Sequence, residues 1–143
     1  MASHCLRHSN QQHLLPYGVG LAIALAGCWH PIATPEAVQQ VEDTFATHRR
    51  ELRRLAMTAM DELEQSNERS MRLPDRSFYD SAWVSEALES GAIHVDVVIE
   101  DFYLPLVYVS TDDPQDVHDT CTHGGRMVKQ LEPHWYICQR DWN

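Results

Sequence analysis

The chain has 143 residues, enough for one domain with a modest hydrophobic core. Its charged content of 22% and its hydrophobic content of 43% are typical of a globular protein. The formal net charge of −10 argues against nucleic acid as a partner and against electrostatic docking on anionic lipid, because both attract basic faces. The charge is uneven, since residues 74–143 hold 13 acidic and 4 basic side chains.

The first 27 residues have the pattern of an export signal. Residues 1–13 contain one arginine, Arg7, and no acidic residue, and residues 14–27 carry no charge. This uncharged run of 14 residues is shorter than the roughly 20 that a helix needs to span a bilayer. Its length and its small final residues are typical of a signal-peptide hydrophobic region. The alternative is an uncleaved apolar segment, either buried in the domain or anchoring the chain as a short helix.

The uncharged run ends in Leu25-Ala26-Gly27-Cys28, which resembles the lipobox of bacterial lipoproteins. The resemblance implies that the chain is cut before Cys28 and that lipid on this cysteine attaches the protein to a membrane of the cell envelope. It also implies the outer rather than the inner membrane, because Trp29 and not an aspartate follows the cysteine. We therefore expect a signal peptide at residues 1–27, a lipidated tether at 28–35 and a single domain at 36–143.

Four cysteines are present, of which Cys5 lies in the expected signal peptide and Cys28 is the expected lipidation site. The remaining pair, Cys121 and Cys138, would reach an oxidising compartment, so we expect a disulfide bond between them. A loop of this size is worth about 3 kcal/mol in the chain-entropy model. The alternatives are two reduced thiols, or a metal site formed with the histidines of HDTCTHGG. That spacing matches no standard zinc site, so no metal or other cofactor is expected.

A long amphipathic helix is predicted to begin at Pro35, with Thr34 as its cap. We expect it to end near residues 71–74, since Pro74 disfavours helical geometry at the residue before it. Apolar residues recur at gaps of three, four and seven, which places them in one stripe along the helix. The stripe consists of Val38, Val41, Phe45, Leu52, Leu55, Ala59 and Leu63.

Two features stand out within this predicted helix. His48 falls in the apolar stripe, where we interpret it as a boundary residue rather than a ligand. Arg49, Arg50, Arg53 and Arg54 form a cluster that is interleaved with acidic residues. A mixed sequence of this kind is typical of a solvated face, although the cluster could also bind an acidic partner.

The rest of the chain predicts a short second helix followed by about four strands. The second helix is expected at about residues 79–90. Alternating apolar residues then predict an antiparallel hairpin of strands at 92–100 and 103–111, with Pro105 placing its second strand at an edge or a bulge. An acidic loop is expected at 110–125, and a second hairpin follows it.

Helices that precede strands, rather than alternate with them, indicate an α+β fold. We expect one long N-terminal helix and a short second helix, both packed on a small antiparallel sheet of about four strands. The second half of the chain is also rich in aromatic residues. Most of them should lie in the core, but exposed ones would mark a contact surface, and Trp142 is expected to be exposed. The set is Trp83, Phe102, Tyr103, Tyr108, Trp135, Tyr136 and Trp142.

The sequence contains no P-loop, no Gly-x-Gly-x-x-Gly and no Gly-x-Ser-x-Gly pattern. It therefore favours a non-enzymatic, lipid-anchored envelope protein that binds a protein partner or takes part in assembly. A subunit of an envelope complex and an inhibitor or immunity-type factor are both compatible with this role. The acidic C-terminal half could recognise a basic protein. The alternative is an envelope hydrolase or a metal-dependent enzyme that uses His94, His118, His123 and His134.

Overall fold

The computed structural model describes residues 33–100, 102–121 and 125–140. The predicted signal peptide, Cys28 and Trp142 lie outside these ranges. No helix in the described ranges is long and apolar enough to cross a membrane. The elements are α1 Pro35–Gln65, β1 Ser70–Arg72, β2 Ser81–Glu86, β3 Ile93–Val98, β4 Leu106–Val109, α2 Pro114–Cys121, β5 Arg126–Glu132 and β6 Trp135–Gln139.

Helix α1 begins where the sequence predicts and ends earlier. The Oγ1 atom of Thr34 accepts a hydrogen bond from the backbone N–H of Ala37 at 3.2 Å, which confirms the predicted cap. The predicted end near residues 71–74 is wrong, because the backbone N–H of Ser66 turns back to the last helical carbonyl groups and the next residues form β1. The helix is the first described element, but it starts at Pro35 and so is not the N-terminus of the chain.

The buried side of α1 follows the predicted stripe closely. Val38 and Leu55 are partly buried and pack against the same core as the fully buried positions. These residues form one ridge, so most of the stabilisation of α1 comes from apolar area removed from water. The buried positions are Val41, Phe45, Leu52, Ala56, Ala59 and Leu63.

His48 lies at a kink in α1. Its backbone leaves helical geometry, with φ −107° and ψ 17°. The hydroxyl of the preceding Thr47 donates to the carbonyl of Asp43 at 2.8 Å, and back-bonding of this kind bends helices. The His48 ring stacks on Phe78 with 4.2 Å between ring centroids, and Nδ1 lies 2.8 Å from Oε2 of Glu51. His48 thus sits at the boundary between core and solvent, as predicted.

The predicted α+β class is confirmed, but the sheet formed by the described residues has six strands rather than about four. Its order is β1-β2-β3-β4-β6-β5, and every neighbouring pair is antiparallel. Both predicted hairpins, β3–β4 and β5–β6, are confirmed. The edge position predicted from Pro105 is wrong, because β4 lies between β3 and β6. The proline precedes the strand, so its missing N–H is not required there, and its carbonyl accepts from the backbone N–H of Cys138 at 3.1 Å.

Residues 79–90 do not form the predicted second helix. Half of them belong to β2, in which Ala82 and Val84 are buried. The residues between and beside these two, Ser81, Trp83 and Ser85, are half-buried. Leu88, which lies within the segment predicted as a helix, is 80% exposed. Pairing with β1 on one side and β3 on the other decides the structure here, because strand formation depends on neighbours more than on local pattern.

The short helix, α2, lies instead inside the predicted acidic loop. The backbone N–H of Gln115 donates to Oδ1 of Asp113 at 2.8 Å, and Pro114 occupies the first helical position. Val117 and Cys121 are buried on its inner face. Acidic residues on the outer face gave the segment its loop-like composition, although they are compatible with an exposed helix surface.

The two helices pack on opposite faces of the sheet. Successive strand residues point to opposite faces, so Leu106 contributes to the core beneath α1, while Val107 belongs to a separate cluster beneath α2. Two sets of ion pairs also tie α1 to strand β5. Arg49 and Arg53 both pair with Glu132, and Lys129 of β5 pairs with Glu42 of α1.

Candidate functional site

Within the part of the chain that the structure describes, the sheet face opposite α1 is only partly covered. Helix α2 lies over the β4 and β6 side, where its inner residues form a second apolar cluster with the strands. The cluster consists of Val107, Val109, Val117, Cys121, Tyr136 and Cys138. The β1–β3 side of the same face remains, and we call it the open face. By strand register, its side chains are Ser70, Arg72, Ser81, Trp83, Ser85, His94, Asp96 and Val98.

A buried ion pair lies at the centre of the open face. Asp96 is only 6% exposed, and its Oδ1 accepts a hydrogen bond from Nη2 of Arg140 at 2.7 Å. The backbone N–H of Arg140 donates to the carbonyl of Tyr103 at 2.8 Å, which positions the arginine after the last strand. A buried carboxylate is costly unless it is paired and hydrogen-bonded, so Arg140 compensates for the burial of Asp96. Nε2 of His94 lies 4.0 Å from the other carboxylate oxygen.

Three aromatic rings lie on one side of this ion pair, and we call them the aromatic patch: Trp83, Phe102 and Tyr103. The Trp83 and Phe102 rings meet edge to face with centroids 6.4 Å apart, and Phe102 meets Tyr103 in the same way at 6.2 Å. Trp83 and Tyr103 are half-buried, and Phe102 is 43% exposed. The patch therefore presents ring surface to solvent in a fixed geometry.

On the other side of the ion pair, the open face continues into a groove of about 680 Å³ between α2 and the turn that joins β2 to β3. Four acidic residues line this acidic groove: Glu86 at the end of β2, Glu89 from the turn, and Asp116 and Asp119 from α2. His94 also lines it, and the described lining includes no lysine or arginine. The exposed Leu88 lies in its rim.

The predicted cysteine pair lies beneath one wall of this groove, where α2 meets β6. The sulfur atoms of Cys121 and Cys138 are 2.03 Å apart and their Cα atoms are 5.1 Å apart. Cys121 is the last residue of α2 and Cys138 lies on β6, so a bond between them holds α2 on the sheet. The pair is therefore disulfide-capable, and both residues are fully buried in the cluster beneath α2.

The described histidines among those proposed for an enzyme lie at different places around α2. His94 lines the acidic groove, and His118 lies on the outer surface of α2, with Nδ1 3.3 Å from Oδ1 of Asp119. His134 is in the β5–β6 turn at φ 70°, where Nδ1 lies 2.9 Å from the carbonyl oxygen of Val109. His123 is outside the described residues. Among the residues that are described, no group of three or more His, Cys, Asp or Glu side chains could hold a metal ion.

The arginine cluster of α1 is partly used within the molecule. Nε of Arg53 donates to Oε1 of Glu132 at 2.8 Å, and Arg49 binds the other carboxylate oxygen. Burial acts to raise the pKa of Glu132, but the hydrogen bonds and charges of the two arginines outweigh it and lower that pKa. Arg50 and Arg54 lie with them along a shallow surface groove of α1.

Comparison with protein-family models, curated proteins and solved structures found no match for this chain. The candidate site therefore depends on its geometry alone. The sequence shows Trp83, Phe102 and Tyr103 as aromatic residues, but it does not show that they form one group. The pairing of Asp96 with Arg140 could not be predicted, because 44 residues separate them and only strand order brings them together. A buried-strand pattern containing one aspartate, at Asp96, was the only available signal.

Proposed function

We propose that the chain is a lipid-anchored protein of the bacterial cell envelope whose domain binds another protein. The anchor is supported by the Leu25–Cys28 sequence, which ends an uncharged run of signal-peptide length. The disulfide between Cys121 and Cys138 belongs to the same proposal, because export to an oxidising compartment would maintain it. The outer membrane is the expected location, since Trp29 follows the cysteine.

The single observation that carries the binding role is the exposed aromatic patch beside the acidic groove. Aromatic residues with exposed ring surface are enriched in protein interfaces, and Phe102 retains 43% of its exposure. The central charges already neutralise each other, because Arg140 takes Asp96 as its partner. Of the four histidines suggested for an enzyme, His94 alone is among the described residues that line the acidic groove. This arrangement supports recognition more than bond breaking.

The anchor is tested by replacing Cys28 with serine in the native host and separating membrane and soluble fractions. We expect Cys28→Ser to abolish incorporation of labelled fatty acid and to release the protein from the membrane, because no sulfur remains to be acylated. Cys5→Ser is the matched control. It should leave fatty-acid incorporation and membrane attachment unchanged, since Cys5 lies in the segment that is removed. Membrane retention of Cys28→Ser without acylation would contradict the anchor.

The binding role is tested separately by chemical crosslinking in intact cells, followed by mass spectrometry of the adducts. A discrete adduct with one other envelope protein is expected from the native chain. It should weaken in a Trp83→Ala variant, because that change removes aromatic surface without altering the anchor. An adduct pattern that is the same for the native chain and Trp83→Ala would contradict this use of the open face.

A further inference from the structure

We infer that the open face is the docking surface for a basic, extended segment of the partner protein. Lysine or arginine side chains of that segment enter the acidic groove, and an apolar or aromatic side chain packs on the aromatic patch. This inference rests on the proposed function and adds the chemistry of the partner. The two halves of the surface support it independently.

The acidic groove determines the charge of the occupant. Its four acidic residues come from two sides, the end of β2 with the β2–β3 turn on one and α2 on the other, and all of them line one space. His94 is the one side chain of the described lining that can be cationic, and His118 reaches Asp119 from the outer surface of α2, at 3.3 Å. A net charge of −10 disfavours an acidic partner, and these carboxylates add local repulsion. A cationic side chain is attracted by both the local and the overall field.

The aromatic patch determines the second contact. Trp83 and Ser85 are on the same face of β2, two residues apart, so about 7 Å separates them along the strand. Ser85 is opposite His94 in the register, next to the acidic groove, whereas Trp83 is opposite Asp96. Alternate side chains of an extended segment have the same spacing of about 7 Å. One such segment can therefore place a cation in the groove and its alternate neighbour on the Trp83 ring.

A second copy of this chain is a poor occupant of the same surface. A two-fold contact buries the same open face of both copies in one interface, so both acidic grooves would be brought into it. Like charges in that arrangement oppose association. The electrostatic argument selects a different, basic chain, and self-association becomes an outcome that the experiment can detect.

The experiment uses the full chain, purified in detergent from its native host, and two fluorescent heptapeptides. One peptide alternates arginine with leucine, and the other alternates glutamate with leucine. We expect the arginine peptide to bind, with an affinity that falls as salt is raised, and the glutamate peptide not to bind. Fluorescence anisotropy of each labelled peptide measures its affinity at each salt concentration.

Two variants test the two halves of the surface. The double change Asp116→Lys and Asp119→Lys reverses the charge of one wall of the groove. It should lower the affinity for the arginine peptide by about tenfold or more. Trp83→Ala should lower the same affinity by a similar factor, about tenfold, because the contact loses an aromatic ring. The matched control is Asp61→Lys with Glu64→Lys, which makes the same charge change on exposed positions of α1. It should change the affinity by less than about twofold.

Equal losses in the control and groove variants would overturn the inference, since the peptide would then respond to overall charge alone. Binding of the glutamate peptide with the same affinity would also overturn it.

In cells, a photoreactive residue at Ser85 should crosslink to a basic stretch of another protein, and one at Asp61 should not. A Ser85 crosslink to a second copy of this chain would replace the basic partner with a homodimer. None of these results depends on acylation of Cys28, so failure of the anchor and failure of the docking surface are distinguishable.

Discussion

At the scale of single residues, arginines compensate for two buried carboxylates of this acidic chain. Asp96 pairs with Arg140 on the open face, and Glu132 pairs with Arg49 and Arg53 beside α1. The two pairs differ in exposure. Both partners are largely buried in the first, whereas the arginines of the second are 54% exposed and only the carboxylate is buried. The second pair therefore fixes a helix to a sheet edge while its cations remain in contact with solvent.

Glu132→Gln is predicted to lower the free energy of unfolding at pH 7 by about 2 kcal/mol, because hydrogen bonds to charged groups contribute about that much. The pKa of Glu132 is lowered from 4.5 in the folded state. Its contribution to stability is therefore complete above the unfolded pKa and is lost as the pH falls through the lower folded value. Urea unfolding of both proteins at pH 7 and at acidic pH measures the difference, which should shrink in acid.

The control for this change is Asp61→Asn, which removes a carboxylate from an exposed position of α1. It should change the free energy of unfolding by less than about 0.5 kcal/mol at either pH. A stability difference between Glu132→Gln and the native chain that is the same in acid as at pH 7 would contradict the assigned role of the charge.

At the scale of elements, the sequence predicted those whose pattern is local. Helix α1 has a regular apolar stripe and a cap at Thr34, and both hairpins have strands that are adjacent in the chain. The interpretation failed where distant pairing decides the structure. Strand β2 contains Trp83 and Val84 in succession, which fits a helix or a strand, and only β1 and β3 on either side select the strand. Helix α2 depends on burial of Val117 and Cys121 against the sheet, which local composition does not reveal.

The candidate site was less predictable than the fold for the same reason. The Cys121–Cys138 pair could be proposed by counting cysteines. The acidic groove could not, because Glu86 and Asp116 belong to elements that were assigned as a helix and a loop. Their convergence requires the sheet order and the placement of α2 on the face opposite α1.

Removing the cysteine pair tests how α2 is held. The double change Cys121→Ala and Cys138→Ala should lower the free energy of unfolding by about 3 kcal/mol, the value expected for a loop of this length. It should also speed amide exchange throughout α2, because a helix of eight residues is not stable without tertiary support. Urea unfolding and hydrogen exchange of the full chain measure these effects.

The native chain with its cysteines reduced should behave like the double variant, and Cys5→Ser should behave like the native chain. Non-reducing mass spectrometry of protein from the native host provides the decisive comparison. Cys121 joined to Cys138 is the expected result. Two freely alkylated thiols at these positions would refute the bridge, whatever the stability of the variants.

At the scale of the whole molecule, groups whose pKa differs between the folded and the unfolded state limit the pH range in which the fold is stable. One limit lies in acid and the other in alkali. Glu132 limits it in acid, as argued above. Burial raises the pKa of three tyrosines above 10.0, namely Tyr79, Tyr108 and Tyr136. A neutral phenol is favoured in the fold, so these residues contribute stability that is complete below the unfolded pKa. That contribution is lost as the pH rises through the folded values.

The surface carboxylate of Asp112 affects this loss of stability at alkaline pH. Burial is the largest cause of the raised pKa of Tyr108 and of Tyr136, and the negative charge of Asp112 raises both further. Asp112→Asn should therefore lower both phenol pKa values towards 10.0, which makes ionisation in the folded state less unfavourable. The alkaline loss of stability should become shallower, while stability at pH 7 changes little because both phenols are neutral there. Urea unfolding of the full chain at a series of alkaline pH values, with phenolate absorbance recorded in parallel, measures both effects.

An Asp112→Asn protein whose stability at alkaline pH falls just as that of the native chain does would show that burial alone sets this limit. Asp61→Asn, which is remote from these rings on α1, should leave the alkaline limb unchanged.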